Sequence, residues 1–138
     1  MRRTLNILYL LLLACGLVSA QTSSYRVVFD LTSKDSLEQQ AVMRWVKEIR
    51  GSRPDAQLEV VMYGKGLNLV MPERSSMAAD VKTALENPNT TFAVCEVAMK
   101  NNNVKMSQLF PGVKTVPDGI YEIISKQHEG WGYIKVMH

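Results

Sequence analysis

One side chain in this sequence is placed to do covalent chemistry. Cys95 closes the apolar run Thr91-Phe92-Ala93-Val94 and is followed by a helix-favouring segment, Glu96 to Lys100. A thiol that ends a strand and opens a helix lies beside backbone N–H groups with no partner in the helix. These favour the thiolate, the nucleophilic form of the side chain. Glu96 acts in the opposite sense, because a carboxylate disfavours a second negative charge beside it. The residues alone leave open which effect prevails. They also leave open a packed core thiol, since free cysteine is among the most often buried residue types.

The remaining candidates offer less. Gly64-Lys65-Gly66 hints at a phosphate loop, but no third glycine completes GxGxxG and no GK[ST] follows. A strand-ending turn that needs glycine fits better, and a nucleotide- or flavin-binding domain is the least supported of the functional readings. His128 falls at the end of a helical pattern, where a solvated histidine is the ordinary case, and His138 is the last residue. The sequence holds no CxxC pair, no Cys/His cluster spaced for zinc, no HExxH and no Ser-His-Asp set. No metal and no cofactor are expected.

The second cysteine, Cys15, belongs to a different kind of segment. Met1 to Ala20 has the basic pair Arg2-Arg3, an apolar run from Leu5 to Leu13, and the small-residue exit Val18-Ser19-Ala20. That is the layout of a secretory signal peptide, with residues 21–138 left as a single domain and a periplasmic location expected. The run is also shorter than the roughly 20 apolar residues a bilayer span needs. The alternative to cleavage is an uncleaved N-terminal anchor; Leu12-Leu13-Ala14-Cys15 also resembles a lipobox, and lipidation at Cys15 is the second processing route, which would tie the mature chain to a membrane. After cleavage Cys95 stands alone, so it is a buried inert thiol, half of an intermolecular bridge, or a reactive group.

Charge excludes one class of partner. The 138 residues carry 16 basic and 13 acidic side chains; losing Arg2 and Arg3 leaves 14 against 13, a net of +1. No Lys/Arg cluster remains that would neutralise a row of phosphates, so nucleic acid is not expected as a partner.

The elements that must position Cys95 alternate along the chain. Tyr25 to Leu31, Leu58 to Tyr63 and Thr91 to Cys95 are β-rich, with a brief strand at Val113 to Val116 and a fifth at Trp131 to Val136. Between them, Ser36 to Arg50 presents Leu37, Ala41, Trp45, Val46 and Ile49 at helical spacing, capped by Asp35 with Glu38 three residues on and ended by Gly51. Ser76 to Glu86 is a second helix, and Pro117-Asp118 caps a last one carrying Ile120, Ile123 and Ile124. Short helical crossovers place strands parallel in a sheet covered on both faces, and sites in such sheets gather at the carboxyl edge, where Cys95 emerges. The loop residues Leu67, Leu69, Val70 and Met71 are apolar, as a subunit contact, a pocket wall or a fold-back onto the domain would require.

The stretch from Cys95 through Leu109-Phe110-Pro111-Gly112-Val113-Lys114-Thr115-Val116-Pro117-Asp118-Gly119 resembles the DsrE/DsrF-like sulfur-relay family, whose pattern runs from a cysteine through LxPGVxxVPxG into a final helix. The ending Gln127-His128-Glu129-Gly130-Trp131-Gly132-Tyr133 is similar to that family's close, and the likeness extends from Tyr25 to Val136. It implies a three-layer α/β/α fold with a five-stranded, mainly parallel sheet, assembled as trimers or hexamers. It also implies that Cys95 accepts a sulfane sulfur as a persulfide from one protein or small persulfide and yields it to another, at most a sulfurtransferase-type activity. Glu96 and Val97 depart from the small or polar residues many relatives carry after the cysteine. The alternative is a non-catalytic, homo-oligomeric binding module held by Leu67 to Met71, with Cys95 merely buried.

Overall fold

The computed structural model describes residues 24–137. Three six-residue strands make the middle of its sheet: β1 (Arg26–Leu31), β2 (Gln57–Met62) and β3 (Thr90–Cys95). Val27 to Leu31 and Leu58 to Met62 are buried without interruption, the pattern of strands covered on both faces. The edges are short: β4 (Lys114–Val116) and β5 (Gly132–Lys135) have three and four residues, which limits the unpaired backbone offered to other chains. All pairings are parallel and the order is β4-β3-β2-β1-β5. The expected five-stranded, three-layer α/β fold is therefore present.

Helices α1 (Ser36–Ser52) and α2 (Ala78–Leu85) cover one face. Val42, Met43, Val46 and Val81 share a core there with Phe29, Leu31, Val60, Met62 and Phe92. Each large side chain removed from water there contributes ~1.5–3 kcal/mol before entropy is charged against it. A third helix, α3 (Glu96–Asn101), follows β3 directly, and α4 (Gly119–His128) joins β4 at one edge to β5 at the other. That crossing lays α4 on the opposite face, over a smaller core of Val28, Val61, Ala93 and Ile123.

Several expectations are corrected. Leu37 is 51% exposed, because the buried stripe of α1 is turned toward Gln39, Val42 and Met43. The Gln39 Oε1 atom accepts the Ser76 N–H at 2.9 Å and its hydroxyl at 2.8 Å, tying α1 to the approach of α2. α1 continues past Gly51 to Ser52, and Asp35 caps it through the N–H of Leu37 at 2.7 Å. Ile120 and Ile124 of α4 point to solvent, leaving Ile123 to anchor that helix. Leu67, Leu69, Val70 and Met71 are all at most 3% exposed: the 3-10 turn Gly66–Val70 folds them into the α1/α2 core. They hold this domain together and are not available as a subunit contact. The segment Met1 to Ala20, with Cys15, and the terminal His138 lie outside the described residues.

Candidate functional site

Cys95 is the last residue of β3 and the residue preceding α3, in extended conformation (φ −66°, ψ 122°) and paired with Val116 of β4. No side chain caps α3, so its first-turn N–H groups have no side-chain acceptor. Cys95 itself is only 5% exposed. It nevertheless lines a surface cavity of about 210 Å³ with Tyr63, Gly64, Val97, Ala98, Asn101, Asn102, Asp118 and Ile120. The sulfur-bearing residue is thus packed from below and reached from the carboxyl edge of the sheet, the edge expected from the chain order.

Each wall of this cavity has a local cause. Gly119 begins α4 against the sheet, and a β-carbon there would lie 3.1 Å from Cys95 Cβ, 3.3 Å from Val61 Cγ1 and 3.4 Å from Tyr63 Cβ. The glycine lets the helix start flush against the thiol-bearing strand. Asp118 caps that helix, its Oδ1 accepting from the N–H of Ile120 at 2.8 Å and of Tyr121 at 3.1 Å. On the other side Gly64 adopts φ +59°, which glycine tolerates best, and a β-carbon on Gly66 would sit 2.1 Å from the Leu31 carbonyl oxygen. Both glycines of Gly64-Lys65-Gly66 are therefore required by the strand-ending turn. Asn102 fastens the turn to α3: its Nδ2 donates to the carbonyls of Gly64 (3.0 Å) and Ala98 (2.8 Å), and its Oδ1 accepts from Lys65 Nζ at 2.6 Å. The Glu96 carboxylate accepts from the Thr115 hydroxyl at 3.0 Å, which directs it toward β4. His128 is exposed at the end of α4 remote from the Asp118 cap.

A polar cluster that the sequence reading missed adjoins the cavity through Tyr63. Asp30, 4% exposed, accepts from Tyr133 at 2.7 Å and Tyr63 at 3.3 Å through Oδ2, and from Lys135 Nζ at 3.0 Å through Oδ1. Lys135 also donates to Thr32 Oγ1 at 3.0 Å. The hydrogen bond to Asp30, with burial and the carboxylate's charge, pushes Tyr133 up to about 12. Burial, reinforced by Asp30, raises Tyr63 as well. Both phenols stay proton donors through the physiological range. A second buried acid, Glu59, is met by Lys126 Nζ at 3.1 Å, and that ammonium lies 4.7 Å from the Trp131 ring centroid. One signal was readable in advance: an acid inside each of two strands otherwise buried throughout must find a partner. Among the described residues, no group of three or more His, Cys, Asp or Glu side chains is placed to hold a metal ion, and no helix is long and apolar enough to cross a membrane.

A parallel three-layer sheet with one thiol at its carboxyl edge, closed by a glycine turn and a VPxG helix start, defines a class of single-domain α/β proteins. The model of the DsrE/DsrF-like family matches residues 19–136, and the chain belongs to that family. Among solved structures, the chain is similar to MTH1491 of Methanobacterium thermoautotrophicum, a protein of unknown function, with TM-score 0.76 and 27% identity over 81% of this chain and 99% of that one. It is also similar in fold to BT1422 of Bacteroides thetaiotaomicron, a conserved protein of unknown function, with TM-score 0.66 and 13% identity over 86% of this chain and 100% of that one. No curated protein matches the sequence.

Proposed function

We propose that the protein is an exported carrier of sulfane sulfur that uses Cys95 as its only covalent centre. The observation that carries the reading is the position of Cys95: it lines a surface cavity and immediately precedes α3, whose start has no side-chain cap. Family membership supports a sulfur-relay role in general terms. The Cys95 thiolate attacks the outer sulfur of a donor persulfide, R–S–SH. A new S–S bond forms, the donor S–S bond breaks, and RS⁻ leaves with the electron pair, giving Cys95–S–SH. An acceptor thiolate then attacks the same outer sulfur and releases the Cys95 thiolate. No oxidant is consumed, and the acceptor supplies the second thiol. Val97, Ala98 and Ile120 give the cavity apolar walls beside the bound sulfur.

Export rests on Arg2-Arg3, the apolar run Leu5 to Leu13 and the exit Val18-Ser19-Ala20. It places the chemistry in the periplasm, with lipidation at Cys15 as the alternative end-state. Incubation with a polysulfide donor followed by intact-mass measurement tests both readings. A gain of one sulfur atom that Cys95→Ser abolishes supports the carrier, and the mass of exported protein gives the processed N-terminus. Failure to load from inorganic polysulfide, persulfidated glutathione and a persulfidated protein alike overturns the carrier reading.

A specific observation favours assembly as a second property. Val97, Ile120, Tyr121 and Ile124 are 51%, 56%, 71% and 44% exposed, and two of them also line the Cys95 cavity. Homo-oligomerisation would cover this surface of α3 and α4, in place of the buried Leu67 to Met71. Light scattering on Tyr121→Asp and Ile124→Asp tests it, and an unchanged mass in both variants refutes it.

A further inference from the structure

A furrow of about 440 Å³ runs between α1 and α2, on the face of the sheet opposite α4. One stripe of α1, Met43, Val46, Lys47 and Arg50, forms one wall. Asp80, Thr83 and Ala84 of α2, with Asn87 beyond its end, form the other, at the same i, i+3, i+4, i+7 spacing. The floor is apolar, because Met43 and Val46 are each 3% exposed. The volume lies within the range of small-molecule sites, ~300–1,000 Å³.

The two ends differ in charge. Arg50 is tied to the end where β3 begins: Nε donates to Thr90 Oγ1 at 2.9 Å, Nη1 to the Pro54 carbonyl at 3.2 Å, and Nη2 to the Asn89 carbonyl. All three acceptors are neutral, and two of the five guanidinium N–H groups remain. Among the described residues no carboxylate lies within ion-pair distance of Arg50 or of Lys47 one turn away. Burial lowers the Arg50 guanidinium from its usual value with no acid to offset it. Asp80 lies five residues before Leu85, the last residue of α2, on the order of 8 Å along the helix axis at ~1.5 Å per residue, with Asn87 beyond that end.

We propose that this furrow binds a small monoanionic amphiphile, with its carboxylate on Arg50 and Lys47 and its apolar body along Val46 and Ala84. An anion at this end supplies the missing counter-charge to a rigidly held guanidinium, the geometry in which charge-assisted hydrogen bonds are strongest. Asp80 at the far end repels the headgroup and so fixes the orientation of the ligand. The site is independent of the sulfur chemistry, lying at the Thr90 end of β3 whereas Cys95 closes the other end.

Octanoate, with 1-octanol as its uncharged analogue, provides the test by NMR titration of the isotope-labelled full chain. Octanoate is expected to shift the amides of residues 43–50 and 80–87 with a dissociation constant near or below ~1 mM, as its ten heavy atoms allow. The alcohol should bind about tenfold more weakly. Arg50→Ala removes three structural hydrogen bonds, so two substitutions at exposed positions are used instead. Lys47→Glu should weaken octanoate severalfold, and Thr83→Trp, which fills the furrow from its rim, should abolish binding. Equal binding of acid and alcohol, shifts confined to other residues, or undiminished binding by Thr83→Trp would each overturn the proposal.

Discussion

Alanine substituted at Gly119 and at Gly51 should move stability in opposite directions. Both glycines are helical and neither has a positive φ, so helix propensity favours alanine at both, by ~0.5–1 kcal/mol in a helix interior and by less at a helix end. At Gly51 nothing lies within 4 Å of an added β-carbon. Gly51→Ala should therefore stabilise the protein by up to about 1 kcal/mol, less if the helix end frays. At Gly119 the same methyl meets Cys95 Cβ, Val61 Cγ1 and Tyr63 Cβ at 3.1, 3.3 and 3.4 Å. The two β-carbons are fixed to the backbone of β3 and of the residue after β2, and Val61 is fully buried, so the strain falls on the seating of α4 against the sheet. Overpacking of this kind costs ~1–3 kcal/mol, and the propensity gain at the first position of a helix is small. The net expectation for Gly119→Ala is a loss of about 1–2 kcal/mol. In urea, with m near ~1–3 kcal/mol/M, the two midpoints should separate by roughly 1 M at unchanged m. Lifting α4 should also speed native-state labelling of Cys95, whose β-carbon is the closest neighbour. If Gly119→Ala proves as stable as Gly51→Ala, the tight seating of α4 on the thiol-bearing strand is wrong.

Three further outcomes follow from the same contacts. Lys126→Met strands the buried Glu59 carboxylate and should destabilise by ~3 kcal/mol at neutral pH, with most of the loss recovered in Glu59→Gln/Lys126→Met; urea melts of the wild type, Lys126→Met, Glu59→Gln and the double variant decide it, and no recovery in the double variant would refute the pairing. Tyr133 ionises near 10.0 when unfolded and is pushed up to about 12 in the fold, so its contribution is complete below pH 10 and disappears between pH 10 and about 12. Tyr133→Phe should flatten that alkaline fall in stability, although the raised Tyr63 adds a smaller fall of the same sign; an unchanged profile counts against the Asp30 hydrogen bond. Asn102→Ala removes two hydrogen bonds joining α3 to the glycine turn and a third to the Ala98 carbonyl within α3 and should cost ~1–3 kcal/mol while raising the rate of Cys95 alkylation; equal alkylation rates would show that Asn102 does not govern access.

The local alternation of patterns along the chain determined a great deal. Apolar runs of six residues separated by helical periodicity specify parallel strands and their crossovers, and Cys95 at the end of the third run falls at the carboxyl edge wherever that strand is placed in the sheet. Gly64 and Gly66 likewise announced a turn, because the backbone geometry they serve is local. Tertiary structure decided whatever depends on partners distant in sequence. Asp30 and Glu59 look like misplaced acids until β5 returns beside β1 and α4 crosses the sheet, bringing Lys135 and Lys126 to them. Leu67 to Met71 are apolar in any reading, but only the packed core shows that they face inward. The Cys95 cavity belongs to the same category, since its walls come from the β2 turn, α3 and the start of α4. Periodicity encodes which face of an element is apolar; which neighbour covers that face, and what space is left between them, is set by packing the whole chain at once.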